Sequence, residues 1–69
     1  MKVGARNRIE GKVVAIKRGG VMCQVEVEIA GGARMESVMT NDSLDEMGLA
    51  VGDTVRVAVK AVHVLLLKD

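Results

Sequence analysis

Alternation of apolar and polar positions is clearest from Val21 to Ile29. Val21, Cys23, Val25, Val27 and Ile29 fall on one face and Met22, Gln24, Glu26 and Glu28 on the other, the period-two signature of a half-buried strand. Gly19-Gly20 precedes this run and Gly31-Gly32 follows it. Both pairs suit tight turns with positive φ, so hairpins are predicted on either side, to strands over about Asn7 to Lys17 and about Arg34 to Thr40.

After Thr40 the alternation stops at Asn41-Asp42-Ser43-Leu44-Asp45-Glu46-Met47-Gly48. Ser43 and Glu46 have the spacing of a capping box and Gly48 suits a helix stop, which predicts one short helical turn. Gly52-Asp53 marks a turn into a strand over Thr54–Lys60, with Val55, Val57 and Val59 on one face, and a last strand follows over about Ala61 to Leu67. Residues 1–69 then form a single all-β domain: a small, partly open five-stranded OB-like barrel with one helical turn.

Two segments carry more apolar residues than one barrel face holds: Val13-Val14-Ala15-Ile16, and Val62 to Leu67 interrupted only by His63. Strict alternation turns Val14, Ile16, Leu65 and Leu67 outward. Such a row is an aggregation hazard on a monomer, so it is expected to be an oligomer interface. A β-bulge, or a strand buried on both faces, is the alternative.

Composition sharpens this expectation. The chain has 69 residues, no Phe, Trp, Tyr or Pro, five Met and one Cys, with 49% hydrophobic and 28% charged residues. It should fold around an aliphatic core, but a core in a domain this small usually needs support. Cys23 has no disulfide partner, and with only His63 beside it a structural zinc is disfavoured. Self-association remains. The N-terminus turns charged at once and no apolar run reaches 18 residues, so a cytoplasmic protein without a membrane span is expected. The net charge of +1 conceals segments of +5 over residues 1–18, −6 over 19–53 and +2 beyond. An anion site should therefore draw on the two ends of the chain.

Little in the chain suits catalysis. The single His63 has no paired nucleophile, Cys23 belongs to an apolar strand face, and the carboxylates read as solvated; the expectation is not an enzyme. Gly4 and Gly11-Lys12 miss the spacing of a phosphate loop, and the methionines read as core filling. Nucleic acid is disfavoured because no aromatic ring is available to stack on bases. A small oxyanion has better material: Arg6 beside accessible N–H groups in Gly4-Ala5-Arg6-Asn7, two hydroxyls in Thr40-Asn41-Asp42-Ser43, and Lys60 with the N–H of Ala61. Each also has an ordinary structural role, and spacing alone does not bring the three together.

The run Gly4-Ala5-Arg6-Asn7-Arg8-Ile9-Glu10-Gly11-Lys12-Val13-Val14 resembles the opening Ser-Ala-Arg-Asn-x-x-x-Gly-x-Val segment of the molbindins, Mop-like molybdate-binding proteins of the TOBE type. The similarity continues through Val25-Glu26-Val27-Glu28-Ile29, Thr40-Asn41-Asp42-Ser43, Gly48-Leu49, Gly52-Asp53 and Val59-Lys60-Ala61, essentially the whole chain. The resemblance implies a homohexamer, a trimer of dimers, that stores or buffers molybdate or tungstate between subunits. The anion is its ligand rather than a cofactor.

The positions matching the binding motif are Ala5 and Arg6 from one subunit, with Thr40, Ser43, Lys60 and Ala61 completing the pocket. Arg6 and Lys60 would bring charge, Thr40 and Ser43 hydroxyls, and Ala5 and Ala61 main-chain N–H groups. Ser43 would accept a helix N–H and aim its own proton at the anion. A shell of donors alone suits a tetrahedral dianion that only accepts, and disfavours hydrogen phosphate, whose proton needs an acceptor. Position 4 is Gly where the family pattern has Ser, which leaves only a backbone N–H there. The rival reading is accordingly a self-assembling hexamer whose oxyanion binding is weakened or lost.

Overall fold

The computed structural model describes residues 7–68. Among them are four strands, β1 (Asn7–Arg18), β2 (Met22–Ile29), β3 (Arg34–Thr40) and β4 (Thr54–Val59), and one helix, α1 (Asn41–Met47). The strands form one curled antiparallel sheet in the order β3-β2-β1-β4. β1 is shared between two neighbours: Asn7 to Lys12 pair with β4, and Gly11 to Arg18 with β2.

The predicted inner face of β2 is the centre of the core, except for Val21, which precedes the strand and is 72% exposed. Val13, Cys23, Val25 and Val27 are buried together with Leu44 from α1, and Ile16, Ile29, Met39, Leu49, Val55 and Val57 pack around them. Cys23 is thus a small core residue, as its place in the alternation predicts. At Gly11, where β1 pairs with both β2 and β4, a Cβ would overlap Val27 Cγ1 and lie 3.3 Å from the Glu28 carbonyl.

The crowded run in β1 is resolved by a bulge. Val13 pairs with Val27 and Ala15 with Glu26, so Val14 is an extra residue with no opposite number. Ile16 then lies opposite Val25 and packs on the core, while Lys17 lies opposite Gln24, on the outer face of β2. The outward placement of Ile16 is corrected: unbroken alternation would have turned Ala15 and Lys17 inward. At the bulge, Val13 donates to the Asp53 carbonyl at 2.9 Å and accepts from the Gly52 N–H at 2.8 Å, fastening the turn that leads into β4.

One of the two glycine turns and the helix also depart from expectation. Gly31 and Gly32 both have φ of 82°, but the Gly19-Gly20 turn needs no positive φ. It is closed by Gly19 N–H donating to Met22 O at 2.7 Å and held by the Asn41 side-chain amide, which donates to the carbonyls of Gly19 and Gly20. α1 has seven residues rather than a single turn, and its cap is Thr40 instead of Ser43. Its C-terminal end matches the Gly48 prediction: Gly48 is left-handed at φ 62°, with Gly48 N–H donating to Asp45 O and Leu49 N–H to Leu44 O.

The fifth strand does not form within the described chain. After Lys60 a 3₁₀ turn, Ala61–His63, is closed by His63 N–H to Lys60 O and Val64 N–H to Ala61 O. Residues 64–68 have no ladder partner among the described residues. Alternation marks a segment able to be a strand, but only a neighbouring edge makes it one, and this turn does not return the chain along β4. Among the described residues the barrel is therefore four-stranded, and none of them pairs with the outer edges of β3 and β4.

Candidate functional site

Of the residues singled out for anion binding, Gly4, Ala5 and Arg6 lie outside the described residues. The others fall into two groups. Thr40 and Ser43 begin α1. The Ser43 amide donates to Thr40 Oγ1 at 3.1 Å, and the Thr40 hydroxyl donates to Ser43 Oγ at 2.9 Å. The hydroxyl proton of Thr40 is thereby committed to Ser43, while that of Ser43 is available to a ligand. Ser43 does not accept a helix N–H as expected; Thr40 takes that role because it, one residue before the helix, has the extended backbone of a cap.

The platform beneath this pair is built from residues to which no role was given in sequence. Asn41 ties the start of α1 to the β1–β2 turn, through its amide N–H to Val21 O at 2.8 Å and its side chain to Gly19 and Gly20. Arg18 pairs with Asp45 on the helix, and this hydrogen-bonded carboxylate raises the guanidinium pKa above its ordinary value. Asn41 lay within a motif already of interest, but its contacts are long-range and leave no local pattern. All these groups are exposed or half-buried, so the region is a surface on which a ligand would still meet water.

Lys60 and Ala61 stand elsewhere, where β4 ends and the 3₁₀ turn begins. Both are exposed, and Lys60 forms no ion pair with a described residue. Asn7 pairs with Val59, so the first described residue of β1 lies beside this group. Next to it is an open cleft of about 590 Å³ lined by Asn7, Arg8, Ile9, Met35, Val59 and Val64.

Strand pairing sets the distance between the groups. Thr40 lies opposite Met22, next to Cys23, which pairs with Arg18 at the far end of β1; Lys60 follows Val59, opposite Asn7 at its start. β1 has twelve residues, so on the order of 30 Å of strand separates the hydroxyl pair from the lysine. One chain does not bring them together. Of the four positions read as a contact surface, Val14 is the half-buried bulge residue and Ile16 packs on the core. Leu65 and Leu67 are exposed.

Residues 4–66 match the TOBE domain family. The chain is 39% identical over 67 residues to molybdenum-pterin-binding protein 3 of Clostridium pasteurianum, covering 97% of this chain and 98% of that protein. The chain belongs to the Mop-like TOBE family. Among solved structures it is similar to a molybdate-binding protein from Sporomusa ovata, with a TM-score of 0.91, 34% identity, and coverage of 99% of this chain and all of that one. It is also similar to the cytoplasmic molybdate-binding protein ModG solved with molybdate bound, with a TM-score of 0.81 and 39% identity; that match covers 88% of this chain and 43% of ModG. The open four-stranded barrel with one helix is therefore a Mop-like fold. Among the described residues, no helix is long and apolar enough to cross a membrane and no cluster of His, Cys, Asp and Glu could hold a metal ion.

Proposed function

We propose that this protein binds molybdate or tungstate, without catalysis, in pockets between copies of itself inside the cell, for storage or homeostasis. The observation that carries the interfacial part is the division of the donor set between opposite ends of β1. Thr40 and Ser43 of one protomer meet Lys60 and Ala61 of another, and Ala5 and Arg6, whose chain continues into Asn7, join from the β1 end. The names of the full-length relatives, one of them a molybdate-binding protein, support the choice of anion. Each charge-assisted bond in such a pocket contributes about 1.5–3 kcal/mol, so a few suffice for micromolar affinity. The assembly is a homohexamer, a trimer of dimers.

Titration calorimetry with molybdate, tungstate, sulfate and phosphate tests this reading. Heat is expected for the first two at micromolar to millimolar concentration, and its absence refutes the reading. The substitution of Gly for the family's Ser at position 4 favours a second reading, an assembly with lost binding. A hexamer indifferent to molybdate until Gly4→Ser is introduced would establish it.

A further inference from the structure

We propose that His63 is a further binding residue of the oxyanion site. Its protonated ring places a second positive charge beside Lys60, so that the site takes up its anion in mild acid and releases it as the pH rises. This deepens the molybdate reading above and rests on it. Three observations meet here. First, the 3₁₀ turn Ala61–His63 is closed by His63 N–H donating to Lys60 O at 2.9 Å. A turn closed in this way brings the Cα atoms of its first and fourth residues within about 7 Å of each other. The ammonium and the imidazole therefore leave the backbone at the two ends of one turn. Lys60, Ala61 and His63 are all exposed, so a ligand can reach them.

Second, the surroundings are cationic. Neither Lys60 nor His63 forms an ion pair with a described residue. Val59 and Val64, on either side of the turn, line the open cleft together with Asn7 and Arg8, so a third cation stands at its wall. The remaining charges on the neighbouring strands face one another: Glu10 lies opposite Arg56 in the β1–β4 ladder, Arg34 donates to Glu26, and Glu36 accepts from Gln24. Further along the exposed tail the next charge is Lys68. Two cations held at one turn repel each other, and a dianion between them offsets that repulsion.

Third, His63 is the one histidine of the chain, and imidazole is the side chain whose charge ordinarily changes between about pH 5 and 8. Arginine and lysine side chains stay charged across that range, so the histidine alone gives the pocket a variable charge. With both ring nitrogens protonated it only donates, and it fits a shell made of donors. In its neutral form one nitrogen is an acceptor, for which a dianion has no proton. A unit charge about 6 Å from a dianion alters its binding roughly tenfold in water, and less as salt is added.

The test is calorimetry with molybdate on the full chain at low, fixed ionic strength and at about pH 5.5, 6.5 and 8, for the wild type, His63→Gln and His63→Lys. Wild-type affinity should fall about tenfold from the lowest pH to the highest. His63→Gln should bind with the weaker affinity and His63→Lys with the tighter one at every pH, whereas a residue of merely structural importance would weaken both variants alike. At the middle pH the wild-type heat should vary with the ionisation enthalpy of the buffer, because binding takes up a proton, and the heat of either variant should not. That proton uptake is a readout of the wild type alone and stands even if a variant does not fold. A wild-type affinity independent of pH, or a His63→Gln profile with the wild-type slope, overturns the proposal and leaves the molybdate reading intact. Absence of molybdate binding by the wild type at every pH overturns both.

Discussion

Thr40 and Ser43 are joined by two hydrogen bonds of opposite sense, amide of Ser43 to hydroxyl oxygen of Thr40 and hydroxyl of Thr40 to hydroxyl oxygen of Ser43. Replacing Thr40 by Val keeps the shape and removes both. Loss of a cap costs about 1 kcal/mol, which in a domain of this size lowers Tm by about 4–8 °C. Thr40→Ser should retain most of that stability. Molybdate affinity should fall in Thr40→Val as well, because Ser43 loses the bond that fixes its hydroxyl. Paired calorimetry and thermal melts separate the two effects.

Gly11→Ala should destabilise the protein by about 1–3 kcal/mol, the usual range for overpacking a core. The new methyl meets Val27 Cγ1, and the Glu28 carbonyl behind it leaves little room to retreat. Adding Val27→Ala should recover part of the loss of the first substitution, and a double-mutant cycle measures the coupling.

Leu44 is the one residue of α1 in the buried core. Leu44→Ala should cost about 2–5 kcal/mol, and the helix should be the first element to lose protection in hydrogen exchange. Because the hydroxyl pair rides on that helix, anion affinity should fall with it. If Leu44→Ala leaves exchange across Asn41–Met47 unchanged, Asn41 and Arg18 hold the helix without help from the core.

Gly4→Ser restores a hydroxyl where the family pattern has one. A neutral donor to a charged acceptor contributes about 1.4 kcal/mol or somewhat more, so molybdate should bind roughly tenfold tighter. Unchanged affinity would mean that the side chain at position 4 does not reach the anion.

Molybdate itself should act as a stabiliser if it bridges protomers. At a hundred times its Kd it adds about 2.7 kcal/mol per site. Tm should rise with molybdate and with protein concentration together. A rise with molybdate that ignores protein concentration would place the whole site in one protomer.

How far the sequence could be read depended on how local each signal was. The inner face of β2, the ends of β3 and the left-handed Gly48 follow from neighbours one to four residues away, and all were legible. The bulge at Val14 was legible only as a surplus of apolar residues, since the choice to bulge is made by the register with β2. Thr40 was overlooked as a cap because Ser43 and Glu46 offer a competing local pattern three residues on. The last strand failed because alternation cannot say whether an edge is available in the same chain. For the site, residue types could be named but not placed. Their separation along β1 is a property of the pairing, and the supporting Arg18–Asp45 and Asn41–Gly19 contacts join residues 27 and 22 positions apart.

Val14 has one more consequence. Without it, Val13, Ala15, Ile16 and Lys17 would alternate in the same order, opposite the same partners on β2. The residue adds nothing to which side chains meet. It adds bend and twist at the point where β1 hands over from β4 to β2. Deleting it should leave a strand with every contact residue in the correct frame and the wrong curvature. The local curvature of β1 is in that sense set by a single inserted residue.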